Sequence, residues 1–351
     1  MSPDGGPDPI LIGLLFDFPQ PDGGGHVEDA VRLGLDEMGA GGRLDRPVRF
    51  AREATRGLPS GTAQDVERGF AALVEAGALV VAGPSISDNA LIVRDLADDA
   101  RLPVINYSGG AMTRSEFMFH YQVGSLEEEP LVLARHLHEA GARRVGVAFD
   151  LSPVGRGYLE WFEQAADRVG LELAGAAGIS PLAEDGSTVV SRLRAGEPDA
   201  VVYLGLGVSA RTVAVALQAS GWAPPVVANS ALMFGYARND WRAAWEGWVY
   251  LDTVSDANSA RQHLKSRSAA TAAGPIGVAA YDIGRLLGEA LVQARHLTRR
   301  GIKDGLERVK RLPAASGLEG TTMGFGPWDR GALKGEFLVR RVWRQGRTVE
   351  V

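Results

Sequence analysis

The chain has no cysteine. That one absence removes disulfides, thiolate zinc sites, iron–sulfur clusters, cysteine nucleophiles and thioether lipid anchors together. Long apolar runs are missing as well. No stretch approaches the roughly 18–20 apolar residues needed to span a bilayer, so direct membrane insertion is not expected. Positive charge is in deficit, with Lys+Arg at 37 against Asp+Glu at 43 and a net charge of −6. A general nucleic-acid binder would carry a basic surface, so nucleic acid is not an expected partner. The six histidines are scattered, His136 and His138 stand two apart and diverge on a helix, and no H-E-x-x-H occurs. Glu127-Glu128-Glu129 reads as a charged first helical turn, favourable at the positive end of the macrodipole, rather than as a ligand cluster. No metal site is expected. The start, Met1-Ser2-Pro3-Asp4-Gly5-Gly6-Pro7-Asp8-Pro9, lacks the basic segment and apolar run of a secretory leader. As written the sequence reads as cytoplasmic, and removal of a leader before a new Met would give the same appearance for an extracytoplasmic protein.

What is present is an ordinary globular composition. The chain is 45% hydrophobic and 23% charged, which excludes a disordered chain. Its 351 residues suit about two domains at roughly 150 residues each. Glycine, at 45 residues, falls mainly at turns between apolar runs and points to many tight connections.

Two hydrophobic periods alternate along the first third. Ile10–Phe16 is a continuous apolar run, the pattern of a strand buried on both faces. A Gly/Pro loop, 19–25, leads to a helical face carrying Val27, Val31, Gly34 and Met38. Val48–Phe50 opens a second strand. Val66, Phe70, Leu73 and Val74 mark a helix ended at Gly77. Ala78–Ala82 and Leu102–Asn106 are further strands, with a helix over Asn89–Ala100 between them. The β-α-β alternation is that of a parallel sheet covered on both faces. The rhythm restarts at Val145–Phe149, with strands over Leu171–Ala176, Ala200–Leu204, Pro225–Ala228 and Trp248–Asp252. Helices over Tyr158–Val169, Ser187–Ala195 and Ala210–Ser220 separate the first four. Trp241, Trp245 and Trp248 form a stripe at helical spacing that reads as core. From Ser255 to about Leu312 the chain is mostly helical, and it closes on strand-like Glu336–Trp343. The fold class is therefore α/β, with two doubly wound Rossmann-like lobes. Open parallel sheets bind ligands beyond the carboxyl ends of their strands, so those loops are the candidate site.

No strong catalytic constellation is present. Gly205-Leu206-Gly207-Val208-Ser209-Ala210 fits G-x-G-x-x-A between a strand and a helix, but the acid expected about 20 residues on is missing, which favours a tight glycine turn over a dinucleotide site. No G-x-S-x-G elbow occurs. No cofactor is expected. Two polar strand ends are better candidates. Gly83-Pro84-Ser85-Ile86-Ser87-Asp88-Asn89 joins a strand to a helix, where Ser87, Asp88 or Asn89 either caps the helix or, with its N–H groups, holds an anionic group. Asn106-Tyr107-Ser108-Gly109-Gly110 ends the next strand in the same way.

These segments, with Phe149-Asp150 and Gly155-x-Gly157, Ala279-Ala280-Tyr281-Asp282, and Phe325-Gly326-Pro327-Trp328-Asp329-Arg330-Gly331-Ala332-Leu333-Lys334-Gly335, resemble the leucine/isoleucine/valine-binding proteins of ABC uptake systems. That family is a branch of the type I periplasmic-binding fold, and the resemblance runs from about Ile10 to Trp343. It implies two lobes, 9–123 plus 254–326 and 124–253 plus 327–351, with a ligand cleft between them. It also implies a hinge of three crossings, near Val123–Gly124, Asp252–Val254 and Phe325–Trp328. It implies a small-molecule ligand whose carboxylate meets Ser87 and the Ser108–Gly110 group, with Ser85, Tyr107 and Gly109 beside them. At the positions matching the family's amine-holding aromatics and acid stand Val154, Gly207 and Ser230. A buried ammonium without a counter-charge costs several kcal/mol, so an amino-acid zwitterion is disfavoured unless Asp150 substitutes. Phe16, Phe18, Tyr107, Tyr203, Phe234 and Tyr236 either pack the core or line an apolar cavity. The expectation is a non-enzymatic solute receptor for a small, fairly apolar carboxylate- or amide-bearing ligand. It would be contacted by Ser85, Ser87, Tyr107, Ser108, Gly109, Gly110, Asp150, Val154, Tyr203, Gly207, Ser230, Phe234 and Phe18. Its partners would be ABC permease subunits or, in a cytoplasmic regulator, a controlled protein. An enzyme using the same loops is the second alternative.

Overall fold

The computed structural model describes residues 9–18, 24–40, 43–44 and 46–351. The first eight residues and most of the 19–25 loop singled out above lie outside the described residues. In chain order the elements are β1 Ile10–Phe16, α1 Gly25–Gly39, β2 Val48–Ala54, α2 Ala63–Glu75, β3 Val80–Ala82, α3 Ser87–Asp99, β4 Val104–Asn106 and β5 Met118–His120. There follow α4 Glu129–Glu139, β6 Arg144–Asp150, α5 Pro153–Val169, β7 Glu172–Ile179, α6 Ser187–Ala195, β8 Ala200–Leu204, α7 Ala210–Ala219 and β9 Val226–Ala228. The rest are α8 Asn239–Arg242, β10 Val249–Asp252, α9 Ser259–Arg267, α10 Pro275–Gln293 and α11 Arg299–Leu306, then β11 Leu312–Pro313, β12 Thr322–Met323, β13 Leu333–Lys334, β14 Val339–Arg344 and β15 Arg347–Glu350.

The chain divides into two compact units. Unit 1 holds the described residues through Val123 together with Val254–Phe337, and unit 2 holds Gly124–Thr253 with Leu338–Val351. The third passage thus falls at Phe337/Leu338. Phe325–Trp328, where the sequence placed it, is held inside unit 1: the Phe325 N–H donates to Val309 O at 3.1 Å and Gly326 and Asp329 close a tight turn. Downstream of that turn, Ala332 N–H donates to His120 O at 2.8 Å.

Unit 1 is built on a parallel sheet ordered β2-β1-β3-β4-β5. β1 sits centrally and is apolar and buried almost throughout, as a strand covered on both faces must be. β2 is the edge strand and carries Arg49, Arg52 and Glu53, charges that discourage edge-to-edge pairing. β5 had no signal in the sequence because it is three residues long and follows β4 through a short 3-10 turn rather than a full helix. Leu15, Val66, Phe70, Leu73, Val81, Val93 and Val104 pack α2 and α3 against the sheet. Deep in α10, Asp282 is fully buried and accepts from Tyr121 Oη at 2.7 Å and from the Ala315 and Ser316 N–H groups. It pins the long helix to the segment entering the small antiparallel sheet β11-β12-β13.

Unit 2 has seven strands ordered β15-β14-β10-β9-β8-β6-β7, parallel except at the β14 and β15 end. Two apolar layers cover it. One joins α4 and α5 to the sheet through Leu133, Val147, Tyr158, Phe162 and Val202. The other holds Tyr203, Trp245, Trp248, Tyr250 and Trp343, with the Tyr250 and Trp343 rings stacked at 5.7 Å. Trp241, Trp245 and Trp248 do belong to this layer, but no single helix carries them: α8 gives way to a 3-10 turn over Ala243–Trp245 before β10 begins. In both units the strand order reverses beside the first strand, at β1/β3 and at β6/β8, and the loops beyond those carboxyl ends carry the candidate residues.

Candidate functional site

In unit 1 the organising group is one the sequence reading passed over, Asp17 at the end of β1. It is 1% exposed. Its Oδ1 accepts the Ser85 N–H at 3.0 Å and the Ser85 hydroxyl at 2.7 Å, and its Oδ2 accepts the Ile86 N–H and Asn89 Nδ2, each at 2.9 Å. Asn89 then pairs with both backbone groups of Leu58, the N–H at 2.9 Å and the carbonyl at 3.1 Å. One buried carboxylate thus ties the loops after β1, β2 and β3 together. The only sequence signal for it was an acid standing at the end of an otherwise apolar run.

Ser85 is therefore committed to Asp17 and shapes the loop. Ser87, Asp88 and Asn89 do not cap α3: the cap position is Ile86, without a side-chain bond, and these three form the first turn. Ser87 lies 4% exposed, and its Oγ accepts the Gly109 N–H at 3.2 Å, bringing the ends of β3 and β4 together. Ser108 donates its hydroxyl to Asn106 Oδ1 at 2.7 Å, so its side chain shapes the β4 loop and keeps no proton to offer. Its carbonyl accepts His120 Nε2 at 2.8 Å while Arg114 Nε donates to His120 Nδ1 at 3.2 Å. Burial, with the Arg114 charge second, holds that imidazole neutral and pushes its pKa down to about 3. Three donors in this loop pair have no acceptor among the described residues: the Ser87 hydroxyl, the Gly110 N–H and the Tyr107 hydroxyl. Burial and the nearby Asp17 charge raise the Tyr107 pKa, so its proton stays on as a donor. Phe18 follows Asp17, half-buried.

In unit 2 the same plan recurs with different residues. Asp150 ends β6 and is fully buried. Its Oδ2 accepts the Leu206 N–H at 2.6 Å, and its Oδ1 accepts the Tyr203 hydroxyl at 3.0 Å and the Ser209 hydroxyl. Burial raises its pKa, against the Ser209, Leu206 and Tyr203 hydrogen bonds that lower it. With both oxygens engaged by internal donors, Asp150 holds the loop after β8. Tyr203 shares that role: it is fully buried, and its Oη lies 2.9 Å from Ser209 Oγ and accepts the Gly207 N–H at 3.3 Å. The glycine run is a tight turn over this acid. A Cβ on Gly205 would stand 2.3 Å from the Asp150 carboxyl, so no larger residue fits there. Val154, 4% exposed, packs in the α4–α5 layer as core. Gly207 and Phe234 are neighbours: a Cβ on Gly207 would meet the Phe234 ring at 2.9 Å. Phe234 is half-buried, edge-on to Trp241 at 6.1 Å.

Ser230, after β9, meets an acid that the sequence placed in a charged first helical turn. Glu129 is the first residue of α4 and is fully buried. Its Oε2 accepts the Ser230 N–H at 2.6 Å, and its Oε1 accepts the Ser230 hydroxyl at 3.0 Å, the Tyr158 hydroxyl at 3.0 Å and the Ser125 N–H at 2.6 Å. Burial raises its pKa to about 7 despite those four donors. Nothing in the Glu127–Glu129 run distinguished the buried member from its neighbours.

Chemically, unit 1 offers a cluster of donors suited to a ligand atom that accepts, and unit 2 offers small and aromatic groups whose buried acids are already bonded. Among the described residues no group of three or more His, Asp or Glu side chains is placed to hold a metal ion. The periplasmic binding protein family model matches residues 9–336. A periplasmic binding protein type 1 of Bordetella pertussis superposes with a TM-score of 0.82 at 15% identity, covering 98% of this chain and 100% of that one. The leucine binding protein LivK of Thermotoga maritima gives 0.81 at 16% identity, covering 97% of each chain. An ABC transporter solute binding protein of Rhodopseudomonas palustris, solved with 4-hydroxybenzoate, gives 0.79 at 15% identity over 98% of this chain and 96% of that one. No curated protein matched by sequence. With the match running nearly end to end and the fold shared, the chain belongs to the periplasmic binding protein family.

Proposed function

We propose that this solute-binding protein takes a small, fairly apolar ligand bearing a carboxylate or amide, outside the cytoplasm, and presents it to ABC permease subunits. The observation that carries the ligand class is the trio of unpaired donors at neighbouring strand ends, the Ser87 hydroxyl, the Gly110 N–H and the Tyr107 hydroxyl. They suit a head group that accepts hydrogen bonds. Ser85, Ser108 and Gly109 shape the two loops that present them. Gly207, Ser230, Phe234 and Phe18 supply contacts to the body of the ligand, while Asp150, Tyr203 and Val154 support from behind. Asp150 and Glu129 already accept internal donors at both oxygens, which disfavours an ammonium group beside them. The ligands of two relatives, leucine for one and 4-hydroxybenzoate for the other, bracket this choice, and the polar pattern here favours the latter kind.

A thermal-shift screen of aromatic acids, their amides and branched amino acids tests the proposal. Stabilisation by an acid or amide, without its consumption, is the expected outcome. Stabilisation by leucine alone, or turnover of the bound compound, would overturn it. For the compound that binds, Ser87→Ala should weaken binding by about 1–3 kcal/mol, since the head group loses a donor. An unchanged dissociation constant removes Ser87 from the head-group site.

A further inference from the structure

We propose that Glu129 is a positioning residue that holds Ser230 as a hydrogen-bond acceptor, so that unit 2 selects ligands presenting a neutral N–H or O–H at that point. The inference rests on the reading above that Ser230 meets the ligand. It goes further by assigning the chemistry of the ligand's far end to an acid that does not itself touch it.

The argument follows from proton counting. An ionised carboxylate accepts and cannot donate. Glu129 Oε1 lies 3.0 Å from Ser230 Oγ, so the single hydroxyl proton of Ser230 points at Glu129. Only oxygen lone pairs remain for a ligand. The backbone contact from Ser230 N–H to Oε2, at 2.6 Å, prevents the side chain from swinging away without breaking a second bond. Gly124 closes the arrangement from another side: a Cβ there would stand 2.3 Å from Ser230 Oγ and 2.4 Å from Glu129 Oε1, so the backbone lies directly against the pair. The acceptor is an oxygen lone pair, which suits a phenol, an alcohol or an amide N–H.

The arrangement is reversible. A protonated Glu129 must donate its own proton, and the nearby hydroxyls, Ser230 at 3.0 Å and Tyr158 at 3.0 Å, are the groups able to receive it, because the Ser125 and Ser230 N–H groups only donate. Where Ser230 receives it, the Ser230 hydroxyl proton leaves Glu129 and can be donated to a ligand. Burial places this change near pH 7. The titratable group facing the carboxylate is Tyr158 of α5, whose pKa burial and Glu129 push up, so it stays protonated throughout. From the β9 side the facing residues are Asn229 and Ser230, which do not titrate, and on its own segment Glu127 and Glu128 precede it.

The test is isothermal calorimetry on the full chain with two probes of nearly equal size, 4-hydroxybenzoate and 4-fluorobenzoate. At a pH about one unit above the Glu129 transition, the hydroxy compound should bind about tenfold tighter, the effect of one unsatisfied donor–acceptor pair. Below the transition the preference should shrink toward unity. Glu129→Gln, whose amide must donate, should show the low-pH preference at every pH. Ser230→Ala, which leaves Glu129 and its other donors in place, should lose the preference and its pH dependence together. A wild-type preference independent of pH, or a Glu129→Gln protein with the wild-type profile, overturns the role of Glu129 and leaves the receptor reading intact. Failure of both probes to bind the wild-type chain overturns the aromatic-acid reading itself.

Discussion

Both units seat a buried carboxylate beneath a strand end, yet they leave opposite surfaces above it. In unit 1, Asp17 draws in the Ser85 and Ile86 N–H groups, and the neighbouring loop keeps the Ser87, Gly110 and Tyr107 donors unpaired. In unit 2, Asp150 and Glu129 between them engage four hydroxyl side chains, and what remains at Ser230 in the proposal above is an acceptor. The same device, a sunk acid under polar loops, therefore produces a donor face in one unit and an accepting face in the other. What differs is which partners the acid takes. Asp17 takes two backbone N–H groups, the Asn89 amide and the Ser85 hydroxyl and leaves the Ser87 and Tyr107 hydroxyls without an acceptor among the described residues, whereas the hydroxyls taken by Asp150 and Glu129 have their protons turned inward.

The comparison breaks most visibly at the acids. Asp17→Ala and Asp150→Ala each strand several buried donors, so each should cost about 3–5 kcal/mol in unfolding free energy measured by urea denaturation. Hydrogen exchange should place the loss in unit 1 for the first and in unit 2 for the second. A change within about 0.5 kcal/mol for either, the ordinary scatter of surface substitutions, would show that its network is replaceable by water.

The pH response sharpens the contrast because Glu129 of unit 2 and His120 of unit 1 titrate with opposite signs. Glu129 has its pKa raised from 4.5 to about 7, so its stabilising contribution is complete below pH 4.5 and is lost as pH rises through 7. The 2.5-unit difference corresponds to about 3 kcal/mol. His120 has its pKa lowered from 6.5 to about 3, so its contribution is present above 6.5 and is lost as pH falls toward 3. Acidification from neutral pH should strengthen exchange protection around Glu129 and Ser230 and weaken it around His120 and Ser108. Glu129→Gln should abolish the first trend and leave the second. Matching pH profiles in the two units would end this account.

The smallest effects come from helix starts. Thr62 caps α2 in unit 1 by accepting the Asp65 N–H at 3.2 Å, and Ser152 caps α5 in unit 2 by accepting the Gly155 N–H at 3.0 Å. Replacing either with Ala should lower stability by about 1 kcal/mol, read as a small fall in the urea midpoint. α3 has no such cap, and its first residue, Ser87, is turned to Gly109 instead.

Much of the architecture was legible before any coordinates. Continuous apolar runs such as Ile10–Phe16 and Ala200–Leu204 can only be strands buried on both faces, and the 3.6-residue face of Val66, Phe70 and Leu73 can only be a covered helix. β5 was not legible, since three residues carry no periodicity. The passage at Phe337/Leu338 was missed because the Phe325–Trp328 turn resembles a boundary in composition, while its hydrogen bonds tie it inward.

The candidate site divides the same way. Residue order alone determined which loops follow the strands' carboxyl ends in each sheet, because a parallel α/β chain returns every such end to one edge. It therefore placed Ser87, Ser108, Gly110 and Ser230 on the relevant loops. Which of those hydroxyls keeps a free proton was decided only in three dimensions. Asp17 and Ser85 are 68 positions apart in the chain, and Glu129 and Ser230 are 101 apart. A hydrogen bond has a direction set by its partner, and no local pattern in the sequence names a partner that distant.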